Sequence, residues 1–245
     1  MHRTLIAAFI TLVAVGQARA DTLEAFKKAI HTKVSAYRSM QYKIHMVTDM
    51  VNEQMSFRST TDQTAEYTRQ GEKALWRMEG KSETSQKFGE TSQSTNMNSL
   101  DICDGATCYN MTDASGQKSA TKRKYDPKAQ PSPFDAMASF KVSEEHYNLK
   151  LLPDETVGGK PMYVLEMTLK DKQPGMPIGL TKLYYDKSTG IVMKSVSNDE
   201  AGKPVATMTT SDVKLDTNIP ADHFVFKAPA GVEVVDQSAK SKPQD

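Results

Sequence analysis

After Met40 the apolar residues of this chain stop recurring at helical spacing and begin to alternate, and the alternation persists almost to the end. Tyr42, Ile44 and Met46 alternate with Lys43 and His45. Tyr147, Leu149 and Leu151 repeat the pattern, as do Tyr163, Leu165, Met167 and Leu169. Met55 with Phe57, and Leu75 to Met78, mark further strands. A period of two sends successive side chains to opposite faces, which suits a sheet and not a helix. The turns between these runs are short: Gly158-Gly159, Asp186 to Gly190 and Asn198 to Lys203. Strands joined in this way run antiparallel. Only two segments read as helix. Leu23, Phe26, Ile30, Val34 and Tyr37 form one apolar stripe, opened by Asp21 as N-cap with Glu24 as its partner. Ser132 to Phe140 reads as a short second helix, with Ser132 at the N-cap and Pro133 in the first helical position. The expected class is mainly β within α+β, an antiparallel sheet that curls around its helices.

Other stretches carry weaker signals. Residues 81–99 are polar and rich in Thr and Ser; they fit strands with a flexible tip, a disordered loop being the alternative. Residues 116–130 are basic and polar and read as an exposed segment. Val205 to Leu215 reads as a long strand, Phe224 and Phe226 as a last short one, and 237–245 as a disordered tail. With no internal repeat and no linker, residues 21–236 read as a single domain.

The first twenty residues read as an export signal. His2 and Arg3 precede a short apolar core, Leu5 to Val15, and Ala18-Arg19-Ala20 offers a small-x-small cleavage site. That core is too short to span a bilayer, which needs about 20 apolar residues. No cysteine follows the cut, so the expectation is a periplasmic protein without a lipid anchor of its own. Cleavage removes two arginines and no acid, turning a formal charge of +1 into −1. A balance so near zero provides no field for gathering nucleic acid. Methionine is abundant, 14 in the chain, and flexible thioethers suit surfaces that repack around varied apolar ligands.

Little in the sequence points to catalysis. If Gly105-Ala106 are a two-residue type II′ loop, Cys103 falls opposite Cys108 at a non-hydrogen-bonded pair, where side chains approach most closely. A structural disulfide is the expectation for an exported pair. A redox or metal site is the rival, but no second cysteine pair or nearby histidine completes a zinc set. His31, His45, His146 and His223 lack the spacing of a helical zinc motif, the carboxylates are scattered through turns, and there is no Gly-rich phosphate loop. Asn110-Met111-Thr112 is a sequon of high chance frequency. The expectation is a non-enzyme with no cofactor and no metal.

The last third carries a resemblance. Leu183-Tyr184-Tyr185-Asp186, Thr189-Gly190, the turn from Asp199 to Lys203 and Ile219-Pro220-Ala221-Asp222-His223-Phe224-Val225-Phe226 run into Lys227-Ala228-Pro229-Ala230-Gly231-Val232-Glu233-Val234. This pattern resembles the periplasmic outer-membrane lipoprotein carriers of the LolA type and their wider superfamily, as does Asp154 to Gly159 ahead of a strand. Helix and strand order matches from Leu23 to Asp236, most sharply after about residue 147.

The resemblance implies a half-barrel of antiparallel strands whose concave apolar face is covered by helices and holds acyl chains. It implies acylated lipoproteins or lipids as ligands, with an inner-membrane donor and an outer-membrane acceptor as partners. Arg69 is similar to the family's arginine near the lid, although Gln70 stands where the carriers have proline and one extra residue precedes Trp76. Alternation puts Tyr42, Ile44 and Met46 on one face of a strand, Trp76 and Met78 on one face of a second, and Leu165 and Met167 on one face of a third. These are expected to converge beneath the helix carrying Phe134 and Met137 and to form the acyl-chain cavity. The alternative is an extracytoplasmic sensor of the envelope-stress type, which resembles two fused domains where this chain reads as one.

Overall fold

A computed structural model describes residues 22–51, 55–171 and 178–238. Helix α1 (Leu23–Ala36) leads into a meander of six strands: β1 (Ser39–Val51), β2 (Met55–Gln70), β3 (Lys73–Phe88), β4 (Thr91–Cys103), β5 (Thr107–Ala114) and β6 (Gln117–Lys124). Helix α2 (Ala136–His146) follows. A second meander comprises β7 (Tyr147–Val157), β8 (Lys160–Leu169), β9 (Leu180–Asp186), β10 (Val192–Asn198) and β11 (Pro204–Leu215). A 3₁₀ turn (Ala221–Phe224) and β12 (Val234–Asp236) complete the described chain.

All twelve strands form one sheet, in the order β12-β6-β5-β4-β3-β2-β1-β11-β10-β9-β8-β7. Pairing of β1 with β11 fuses the two meanders, and only β12 with β6 runs parallel. The sheet curls without closing, and both helices lie on its concave side, as the alternation and the resemblance imply.

The core begins with α1. Phe26, Ile30 and Val34 are buried, and the Phe26 ring meets those of Phe140, Tyr163 and Tyr185 at centroid distances of 5.6, 5.5 and 5.2 Å. Burying each such side chain contributes roughly 1.5–3 kcal/mol. Thr22, not Asp21, supplies the N-cap: its hydroxyl accepts from Ala25 N at 3.1 Å, and Asp21 lies outside the described residues. The second helix also starts later than its sequence signal. Asp135 caps it by accepting from Ala138 N at 3.0 Å, while Ser132 Oγ only accepts from Phe134 N in the preceding turn. Both candidates had the right chemistry, and three residues of register separate them.

Residues 81–99 are strand through most of their length, with the turn at Gly89-Glu90. The basic segment 116–130 is exposed or half-buried apart from Ala120, and within it β6 occupies Gln117–Lys124 and pairs on both sides. Phe224 and Phe226 do not form a strand. Phe224 ends the 3₁₀ turn, packing with Leu75 and Ile219 on the convex face, and the Phe226 ring stacks on Tyr109 at 4.8 Å. His223 Nδ1 lies 2.8 Å from Glu66 Oε2, and Arg77 donates to the His223 carbonyl. The carboxy-terminal motif is thus a strap across the back of the sheet, and it ends by adding β12 as an edge. Gln237 and Ser238 still bond to the β6 backbone, whereas 239–245 lie outside the described residues.

The β4–β5 turn matches its sequence signal. Asp104 N donates to Thr107 O at 3.1 Å, Gly105 takes φ +81° at the position that a type II′ turn requires, and Cys103 pairs with Cys108. The two sulfurs are bonded and buried in the core. Because the closed loop is short, replacing both cysteines by Ala is expected to cost about 2 kcal/mol in urea denaturation and to leave a folded, β-rich chain. A chain unfolded without the bridge would contradict this.

Candidate ligand cavity

The two helices meet the sheet at an open cavity of about 290 Å³. Ile30 and Val34 line it from α1, and Met40, Tyr42 and Ile44 from β1. Ala136, Ser139, Phe140 and Ser143 line it from α2, and Tyr185, Ile191 and Met208 from the second meander. The lining contains no Asp, Glu, His, Lys or Arg. Its two serines are turned back on their own helix: Ser139 Oγ donates to Asp135 O and Ser143 Oγ to Ser139 O, so the helix face they present is satisfied and effectively apolar. Burial holds the hydroxyls of Tyr42 and Tyr185 in their neutral form, with pKa values raised above the usual phenol.

The sequence candidates divide into four groups. Tyr42 and Ile44 line the cavity. Trp76, Phe134 and Leu165 are 4%, 2% and 1% exposed and belong to the packed core beside it. Met78 and Met167 are half-buried against that core. Met46 and Met137 are exposed, at 38% and 39%, and do not join the others. Met46 shares the face of Tyr42 and Ile44 but lies further along β1, and Met137 is on the outer side of α2. Phe134 precedes α2 instead of lying on it. The sequence reading missed the contributions of α1, Tyr185 and Met208. Ile30 and Val34 were visible as a stripe, but Met208 faces Met46 only through the β1–β11 register.

Helix α1 is fixed at its carboxy-terminal end by the β9–β10 turn. Tyr37 Oη donates to Thr189 O at 2.9 Å, and Lys33 Nζ to Ser188 O at 3.4 Å. Gly190, at φ +76°, comes so close to α1 that a Cβ would sit 3.3 Å from the Lys33 Cβ. Asp186 organises this turn, its Oδ1 accepting from Ser188 N, Ser188 Oγ and Thr189 N. Lys27, 5% exposed, reaches from α1 to Glu144 on α2 and to Glu24 at 2.7 Å. Burial works to lower its pKa, and its bonds to Glu144 and Glu24 outweigh this and raise it, so the amine stays charged.

Helix α2 is held more loosely, with only Ala136 and Phe140 buried. Arg69 sits at its approach: Nη2 donates to Phe134 O at 3.4 Å and the guanidinium lies 4.4 Å from the Phe134 ring centroid. Arg69 Nε and His31 Nδ1 are buried without a hydrogen bond, and the 3.6 Å from His31 to Asp135 is too long for one. Such unmatched groups cost about 1–3 kcal/mol each.

No family model matches the sequence, and no curated protein matches it. Solved structures do. An uncharacterized conserved protein from Thermus thermophilus is similar at 12% identity over 87% of this chain and 98% of that chain, with a TM-score of 0.50. MucB is similar at 16% identity over 86% of this chain, with a TM-score of 0.43, and the chain spans 64% of its length. A LolA superfamily protein from Nitrosomonas europaea is similar at 14% identity over 82% of this chain and 97% of that chain, with a TM-score of 0.30. At these identities the likeness is one of fold.

Asp186 offers a test of how α1 is held. Burial acts to raise its carboxyl pKa, but the bonds from Ser188 and Thr189 and the charge of Lys160 outweigh this and hold it below the usual range. Its contribution is therefore present above the ordinary carboxylate pKa of about 4 and is lost as pH falls through the folded value. Asp186→Ala is expected to cost about 1–3 kcal/mol at neutral pH in urea denaturation, with the gap to the parent narrowing in acid. A gap independent of pH would show that the charge has no part in the turn.

Proposed function

We propose that the chain is a non-catalytic periplasmic binding protein that takes the acyl chain of a lipid or lipoprotein into the cavity beneath α1 and α2, for transfer toward the outer membrane. Residues 21–236 are the working unit in this reading, after removal of 1–20. The observation that carries it is the uncharged, apolar lining where two helices bridge a concave sheet. Each methylene buried there contributes about 0.8 kcal/mol. The volume lies at the lower edge of ordinary ligand pockets, about 300–1,000 Å³, so one chain end enters and more requires the helices to part. Helix α2 is the element to move. It buries fewer side chains than α1, and unmatched Arg69 Nε and His31 Nδ1 lie at its approach. Arg69 in this reading latches the segment through Phe134.

Two substitutions separate cavity from core. Ile44→Trp fills the cavity and is expected to leave the melting temperature within a few degrees of the parent while lowering affinity for a fluorescent fatty-acid probe about tenfold. Leu165→Ala removes a fully packed side chain and is expected to cost about 2–5 kcal/mol. A parent chain that binds no acyl probe would overturn the proposal.

A further inference from the structure

The strands β1 to β4 run on past the helices, and their two faces differ in chemistry. On the convex face, Lys43 pairs with Asp212 at 2.7 Å, His45 with Asp62 at 2.7 Å, and Arg58 with Asp49 at 2.8 Å. Register puts Glu79, Lys81, Glu83 and Lys87 of β3 on that same face, opposite Thr64, Asp62, Thr60 and Ser56. On the concave face, beyond the cavity residue Ile44, neither β1, β2, β3 nor β4 places a charged residue. Hydroxyls fill one complete row there, between the row that holds Met46 and Met97 and the row that holds Met50 and Phe57. Thr48, Ser59, Thr84 and Thr95 face one another in a single row across the four strands, with Thr61 and Ser82 in the row before. Ser59 Oγ lies 3.1 Å from Thr84 Oγ1 and 3.3 Å from Ser82 Oγ, and Thr61 donates to Ser82 at 3.1 Å. The row continues across β11 to Ser197 and Thr181, whose hydroxyls are 2.9 Å apart.

The division is not set by position along the strands, because over the same stretch beyond Ile44 the convex face carries charge and the concave face does not; Arg69 and Asp101 stand on the concave side before it. Nor is the concave row simply wet: Thr48, Ser59, Thr61, Ser82, Thr84 and Thr95 are half-buried although no helix covers them. A charged ligand group placed there would lose water and meet no counter-charge, which is unfavourable. Hydroxyls both donate and accept, and each retains capacity after one cross-strand bond. Gln63 adds an amide; it lies across Gly80, where a Cβ would come within 2.9 Å of its Cγ. The row adjoins the cavity directly, since Met46 and Met208 alone separate Ile44 and Thr210 from Thr48 and Ala206 along the β1–β11 pair.

We infer that the ligand is an amphiphile with an uncharged, hydroxyl-rich head, glycosyl or glyceryl, which rests on this concave row while its acyl chain enters the cavity. The inference rests on the acyl-binding reading and adds the class of head.

Calorimetric titration of the purified chain below micelle formation tests it with three probes of equal chain length: n-decyl β-maltoside, decanoate and decyltrimethylammonium. The maltoside is expected to bind at least about tenfold tighter than either charged probe. Ser59→Ala combined with Thr84→Val, both compatible with strand, is expected to abolish that preference and leave decanoate affinity unchanged, with an unaltered circular dichroism spectrum confirming the fold. Equal affinity for all three probes would overturn the head site and leave the acyl cavity standing. A preference that survives the double substitution would also overturn it. Failure of all three to bind would remove the acyl reading and this inference together.

Discussion

Two short helices have to serve a sheet much longer than they are, and the architecture follows from that mismatch. Helix α1 has 14 residues, and β2 and β3 have 16 each. At the ordinary rises these are about 21 Å of helix against about 53 Å of strand. The helices therefore cover one part of the concave face and leave the rest open. Where they cover it, the strands supply Met40, Tyr67, Trp76 and Leu165, and the space that packing leaves unfilled is the cavity. Beyond them the same strand faces carry no charge and include one full row of Ser and Thr, Thr48 to Thr95, between rows that hold methionine and Phe57. The convex side meets the same problem differently, with the strap from Ile219 to Phe226 covering Leu75 and Tyr109.

The helices are also unequally fastened. The β9–β10 turn, built on Asp186 and brought close by Gly190, grips α1 through Tyr37 and Lys33. Helix α2 depends on Phe140 against Phe26, on Lys27 reaching Glu144, and on Arg69 at the Phe134 segment. Local stability follows buried contacts, so the cavity has one fixed wall and one wall that gives way at lower cost.

Much of this was legible in the sequence, because periodicity reports which face a residue occupies. The stripe of Phe26, Ile30 and Val34, the alternation of Tyr42 and Ile44, and the Cys103–Cys108 hairpin all translate directly into structure. Periodicity does not report how far along a strand its partners extend. Met46 has the correct face and is nonetheless outside the cavity, because cover ends before it. Met208 and Tyr185 reach the cavity through long-range register that no local pattern encodes. The aromatic pair at Phe224 and Phe226 imitates strand alternation, but one residue ends a 3₁₀ turn and the other stacks on Tyr109. Ser132 and Asp135 are both good caps, and only tertiary packing of Ala136 and Phe140 decides between them.

In the proposed function an acyl chain lies between the helices and the concave face. A fatty acid bearing a photoreactive diazirine at its methyl end, cross-linked to the native chain and mapped by peptide mass spectrometry, reports where that chain end lies. Adducts are expected on the peptides containing Ile30 and Val34, Tyr42 and Ile44, or Phe140, with their loss when unlabelled fatty acid competes. Adducts confined to the convex strap around Tyr109 and Phe226, or labelling that competitor does not reduce, would contradict this placement.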